Sequence, residues 1–243
     1  RYPISLHQLI TAFYLKITEN STSLNDTTQA VLFDVRLPRI IAAILVGCAL
    51  SVSGATFQGL FKNPMVSSDI LGASAGAGFG AAIAILFSLG PVWIQLLSFI
   101  FGFAAVALSY AISKVVGRGS SPILVLVLTG MVVQALFTSF ISLTKYVADP
   151  DSKLPAITFW LMGGLSSITI SDIKVVLIPM ILGVIPLMLI RWKLNVLSFG
   201  DEEAQSMGID TTKIRAITII CATLLTASTV SICGMIGRSK SVV

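Results

Sequence analysis

From residue 36 onward the chain alternates long apolar runs with short polar breaks. Nearly uncharged runs occupy residues 38–60, 70–89, 92–116, 123–143, 173–190 and 216–236. Each approaches the roughly 20 residues that an α-helix needs to cross a hydrocarbon core about 30 Å thick. Strands of a membrane barrel would show dyad alternation over roughly 10 residues, and none is visible. Lipid leaves open backbone groups unsatisfied, so helices are the remaining solution. The expected fold class is all-α: one polytopic membrane helical bundle over residues 1–243, with about six spanning helices.

The breaks and the small residues refine this picture. Residues 1–35 carry Ile4, Leu6, Leu9, Ile10, Phe13 and Leu15 at the spacing of a short interfacial helix. A polar loop follows, whose Asn20-Ser21-Thr22 and Asn25-Asp26-Thr27 match the inexpensive glycosylation pattern. No signal-peptide layout opens the chain. Pro38 suits a first helical turn. Gly47, Ser51, Gly54 and Ala55 allow close helix contact. Gly72, Gly76 and Gly80 recur every four residues and predict a packing face of nearly bare backbone. The sharper alternative, a phosphate-cradling loop, lacks the Lys-Ser/Thr that should follow and lies in apolar surroundings.

Further along, Gly90-Pro91 marks a turn, and residues 114–122 form a basic, glycine-containing break. The run 123–143 carries Thr129, Gln134, Thr138, Ser139 and Ser142, a polar load that suits either a pathway-lining helix or interhelical hydrogen bonding. Residues 157–164 are too short to span and predict a re-entrant or interfacial helix with Trp160 at the headgroup level. Pro179 and Pro186 predict kinks in the next run. Residues 201–208 predict a short polar helix outside the membrane, with Asp201 and Glu202 in its first turn and Gly208 as its C-cap.

Composition agrees with a membrane protein: 55% of residues are hydrophobic and 11% charged, with a mean hydropathy of +0.94. The net charge of +5 implies no nucleic-acid partner. Its Lys and Arg residues sit at the ends of runs, where topology and lipid headgroups account for them. Lys62, Lys114, Arg118, Arg191, Lys193, Lys213 and Arg215 cluster in alternate breaks, which the positive-inside rule places in the cytoplasm. Arg36 and Arg39 then fall on the outer side, where docking of an acidic partner or headgroup snorkelling accounts for them. Cys48, Cys221 and Cys233 lie within apolar runs without metal-ligand spacing and read as buried, inert thiols. No metal site and no cofactor are expected.

An ordered set of motifs carries a resemblance. Arg36-Leu37-Pro38-Arg39, Ser53-Gly54-Ala55, Phe61-Lys62-Asn63-Pro64, Leu71-Gly72-Ala73-Ser74-Ala75-Gly76, Trp160-Leu161-Met162-Gly163-Gly164 and the stretch from Gly200 to Gly208 follow one another along the chain. Together they resemble the permease subunits of ABC importers for iron–siderophore complexes, haem and cobalamin. The resemblance implies a ten-helix fold, of which this chain would lack the first helix and the last three, a truncation at both ends.

It also implies partners: a second copy of the chain, an ATP-binding subunit and a periplasmic or lipoprotein substrate-binding protein, in a plasma membrane. Arg36 and Arg39 would meet the binding protein. Gly200, Asp201, Glu202, Glu203, Ala204, Gln205, Met207 and Gly208 would form the helix that couples to the ATPase. Ser120, Ser121, Gln134, Thr138 and Ser142 would line the pathway or its gate. No Walker motif is present, so the chain is not expected to hydrolyse ATP alone. A secondary transporter or channel would carry an intramembrane charge for coupling, and a membrane enzyme would need a polar constellation. The runs show neither. Nothing in them selects among metal chelates, or even molybdate.

Overall fold

The structure, a computed structural model, describes residues 29–117 and 122–235. Its helices are α1 (Leu37–Phe61), α2 (Ala73–Leu86), α3 (Pro91–Val116), α4 (Pro122–Val147), α5 (Lys153–Met162), α6 (Ile170–Phe199), α7 (Asp201–Ser206) and α8 (Thr211–Cys233). Five apolar stretches are long enough to cross a membrane: Ala30–Phe61, α3, the stretch Ile123–Val147 of α4, α6 and α8. No strand occurs among the described residues.

The first span begins earlier than Pro38. A π-helical segment, Ala30–Arg36, runs directly into α1. The wide turn sits just before the proline, which has no N–H to continue an α-helical ladder. α1 ends where Lys62 adopts a left-handed conformation, φ 51°. Gln58 Nε2 donates to the Pro64 carbonyl across that turn at 2.9 Å.

The second apolar run is not a full span. α2 has 14 residues, about 21 Å at 1.5 Å per residue. Residues 62–72 enter without regular structure; 62–65 and 67 are exposed, and the chain is enclosed at Leu71 and Gly72, where Ser109 Oγ donates to the Leu71 carbonyl at 3.1 Å. Non-helical backbone is tolerated at membrane depth only when protein surrounds it. α2 is surrounded in this way, with Ala75, Ala77, Ala81 and Ala84 at 3% exposure or less. Its small side chains let neighbouring helices close around it.

α8 is the central helix. Of its most apolar window, 72% is buried, against 22–28% for the other four long stretches. Its Thr218, Thr223, Thr226, Ser228, Thr229 and Ser231 are all buried. Most of these hydroxyls bond their own helix; Thr218 donates to the Ile214 carbonyl at 2.7 Å and Thr229 to the Thr226 carbonyl at 2.7 Å. Two bonds join α8 to α1 at Ser53: its hydroxyl shares a 2.8 Å hydrogen bond with Thr226 and donates to the Ala222 carbonyl at 3.0 Å. Outward-facing positions such as Ile44, Leu96, Leu128 and Leu182 remain exposed and apolar, as a lipid-facing surface requires.

α6 extends to Phe199 rather than stopping near residue 190, and it is continuous through Pro179 and Pro186. Hydropathy falls after residue 190 while helix propensity does not, and only Gly200 ends the helix. At its start, Thr169 and Asp172 form a capping box. α5 packs through fully buried Ile157 against Ala82 of α2 and Ala148. Cys48 lies on the exposed side of α1, which corrects its expected burial; Cys221 and Cys233 are buried in α8.

Candidate functional site

The α6–α7–α8 corner brings one group of candidate residues together. Gly200 turns the chain in an extended conformation, and α7 follows with Asp201, Glu202 and Glu203 in its first turn, where the helix dipole favours acids. At its other end the Ile209 N–H bonds the Ala204 carbonyl at 3.0 Å, and the Gly208 N–H bonds the Gln205 carbonyl at 2.9 Å. This pair of bonds is a Schellman cap, and Gly208 supplies its left-handed residue at φ 75°. Ala204 and Ile209 are both buried in the apolar cluster that also holds Phe57, Leu60, Leu126 and Leu197. Glu202, Glu203, Gln205 and Met207 point outward and are exposed.

Charge fixes this corner to α8. Arg215 Nη2 lies 3.0 Å from each carboxylate oxygen of Asp201. Asp210 caps α8, accepting from the Lys213 N–H at 3.0 Å. That N–H, and then the Lys213 ammonium, hold the Asp210 carboxyl below its ordinary value. Arg215 enters the sequence reading only as a topology charge. Fourteen positions separate it from Asp201, and only the reversal of the chain at α7 makes them neighbours.

At the opposite end, Arg36 is half-buried and Arg39 exposed. Three positions apart, they share one helix face. Arg39 Nη2 donates to the Ser166 carbonyl at 3.1 Å, tying α1 to the loop before α6. Asp149 lies in the connection between α4 and α5. The Ser152 hydroxyl, then the Ser152 N–H, hold its carboxyl below its ordinary value.

The three spaced glycines do not share one role. An added Cβ at Gly76 would lie 2.4 Å from the Phe101 carbonyl oxygen, and one at Gly80 would lie 2.2 Å from that of Leu97. These two glycines bring α2 onto the backbone of α3. Gly72 is not on that face. It precedes α2 in the left-handed region, φ 83°, and packs against Gln134 of α4. Four-residue spacing implies one face only while the helix lasts, and the helix begins at Ala73.

Among the residues expected to line a pathway, Gln134 is half-buried while Thr138 and Ser142 are exposed. Thr138 donates to the Gln134 carbonyl at 2.8 Å and Ser142 to the Thr138 carbonyl at 3.1 Å, so each hydroxyl bonds its own helix. Ser120 and Ser121 lie outside the described residues, as do residues 1–28 and 236–243. Asp69 is missing from the sequence reading. It stands just before α2, and its Oδ1 accepts from the Ser74 N–H at 2.6 Å.

The FecCD transport family model matches residues 2–237. The chain is 35% identical over 237 residues to the molybdate import system permease protein MolB of Haemophilus influenzae, covering 98% of this chain and 69% of that protein. It is 34% identical to the cobalamin import system permease protein BtuC of Halobacterium salinarum, covering 87% of this chain and 57% of that protein. A solved structure of an inward-facing, metal-chelate type ABC transporter superposes with a TM-score of 0.82 at 35% identity, covering 89% of this chain and 69% of that one. With that match running almost from end to end, and with apolar helices enough for several crossings, the chain is a multi-pass membrane protein that belongs to the FecCD transport family.

Proposed function

We propose that the chain is the membrane-spanning permease part of an ATP-driven importer, moving a metal chelate of the iron–siderophore, haem or cobalamin kind, or a compact oxyanion such as molybdate, by alternating access. It would act with a second copy of itself, a separate ATP-binding subunit and a substrate-binding protein. Relatives named for molybdate and cobalamin both lie at similar identity, so the substrate class stays this broad.

The observation that carries the reading is α7. It is a capped helix whose Ala204, with Ile209 just beyond it, is buried and whose Glu202 and Glu203 face outward, held to α8 by the Arg215–Asp201 bond. A helix anchored in this way passes movement of a bound ATPase to the spans. The abundance of Lys and Arg at that end supports a cytoplasmic side for it. Arg36 and Arg39 then face the binding protein, and the hydroxyl stripe of Thr138 and Ser142, open to the outside of the described bundle, suits a pathway completed by the second copy.

The test is a cysteine at Glu203 in the full-length permease, used for cross-linking in membranes. Capture of the ATP-binding subunit is expected. Capture of the substrate-binding protein instead would invert the topology and sink the reading.

A further inference from the structure

At the α7 end of the bundle, between α3, α4 and α8, lies a cavity of about 230 Å³. Leu126 and Tyr110 give it an apolar floor, while Lys114, Ser113, Thr212 and Arg215 supply its polar lining. Lys114 Nζ sits 4.8 Å from the centre of the Tyr110 ring, a cation–π contact that fixes the ammonium at the rim. Arg215 spends one nitrogen on Asp201. Its Nε is buried and has no hydrogen-bond partner among the described residues. A buried N–H on a guanidinium without an acceptor is costly, and the Arg215 side chain also lines the cavity.

Two nearby carboxylates among the described residues are already engaged. Asp201 is already engaged by the Arg215 Nη2, and Asp210 forms a 3.1 Å ion pair with Lys213. Lys114 lies within the last turn of α3 and Arg215 within the second turn of α8, which puts both at the interface rather than at mid-bilayer. Basic pockets between membrane helices at this depth suit lipid headgroups.

We infer that this cavity binds the phosphate of an anionic phospholipid, with the Arg215 guanidinium and Lys114 Nζ as its positive charges. Because Arg215 also holds Asp201, lipid occupancy would stiffen the clamp on α7. The inference does not depend on which substrate the permease carries.

The test uses the full-length permease in neutral detergent, titrated with phosphatidylglycerol or phosphatidylcholine and followed by native mass spectrometry. Retention of phosphatidylglycerol about tenfold tighter than phosphatidylcholine is expected, the size of one charge-assisted contact. Lys114→Gln should remove most of that preference. It changes an exposed side chain, so a fold defect does not confound the result. Lys193→Gln, an exposed cation on α6 at the same end, should leave the preference intact. Equal retention of the two lipids overturns the site, as does a preference that survives Lys114→Gln or one that Lys193→Gln lowers as much. Displacement of phosphatidylglycerol by equimolar inorganic phosphate would assign the cavity to a soluble anion and overturn the lipid.

Discussion

Arg215 of α8 grips Asp201 of α7 with a single nitrogen placed 3.0 Å from both carboxylate oxygens. The arginine side chain is only 11% exposed, the aspartate 37%, so the pair is neither fully buried nor screened like a surface bridge. Arg215→Ala is expected to destabilise the protein by about 1–3 kcal/mol, because it leaves a half-buried carboxylate unpaired. Thermal unfolding in mild detergent measures this. Asp201→Ala combined with Arg215→Ala should cost less than the two single changes added, and full additivity would show that the two side chains are not coupled.

The contact of α2 with α3 predicts asymmetric tolerance among glycines. Gly80→Ala and Gly76→Ala place a methyl group within 2.4 Å of carbonyl oxygens in the α3 backbone. Each should destabilise by about 1–3 kcal/mol or more, since α3 must move away. Gly47→Ala meets nothing within 4 Å and should be neutral or stabilising by up to about 1 kcal/mol, because it removes a flexible residue from a helix. Yield and melting temperature of the three variants, measured side by side, decide the matter.

Charge reversal of Arg36 and Arg39 in the full-length permease should weaken docking of the substrate-binding protein. Surface plasmon resonance at moderate salt reads the effect. Unchanged affinity would assign both arginines to headgroup contact and, for Arg39, to its bond with Ser166.

Asp69 separates a structural carboxylate from a coupling one. Asp69→Asn keeps an oxygen for the Ser74 N–H and should retain at least about half of the transport rate, whereas Asp69→Ala loses that bond and should lower yield. Loss of transport in the Asn variant, with yield intact, would point to ion-coupled transport.

Two carboxylates outside the spans are expected to contribute to the acid limb of stability. Asp149 and Asp210 both titrate below their ordinary value of 3.8. A lowered value means stability that is fully present above the ordinary pKa and is lost as pH falls through the folded one. The melting temperature should therefore hold between about pH 7 and 5 with respect to these groups and decline below about pH 4. Asp149→Asn and Asp210→Asn together should flatten that decline; an unchanged profile would show that neither bond contributes.

Much of the bundle was legible because lipid allows few solutions. Hydropathy located the helices, and acids followed by Gly208 marked α7 down to its cap. What hydropathy could not show was the company each helix keeps. Residues 70–89 and 123–143 look alike in apolar length, yet α2 is a short buried peg and α4 a long helix with an exposed face. The polar residues of 123–143 drew attention, although the more deeply buried hydroxyls are in α8. Threonine and serine satisfy themselves on the preceding helical turn, so their number says little about what they face. Arg215 and Asp201, far apart in sequence, could be paired only after the corner between them was known.

The two glycines that set α2 onto α3 also decide how the bundle can deform. Carbonyl oxygens of α3 occupy the space where side chains would stand, so α2 cannot roll or slide along α3 without a backbone collision. Ala227 of α8 abuts the same surface near Gly102, and α8 carries α7 through Arg215. These three helices are therefore keyed to one another through close backbone contacts, with α7 held at one end by Arg215. α4 is keyed in the same way to the segment that enters α2: an added Cβ at Gly130 would lie 2.5 Å from the Ile70 carbonyl oxygen.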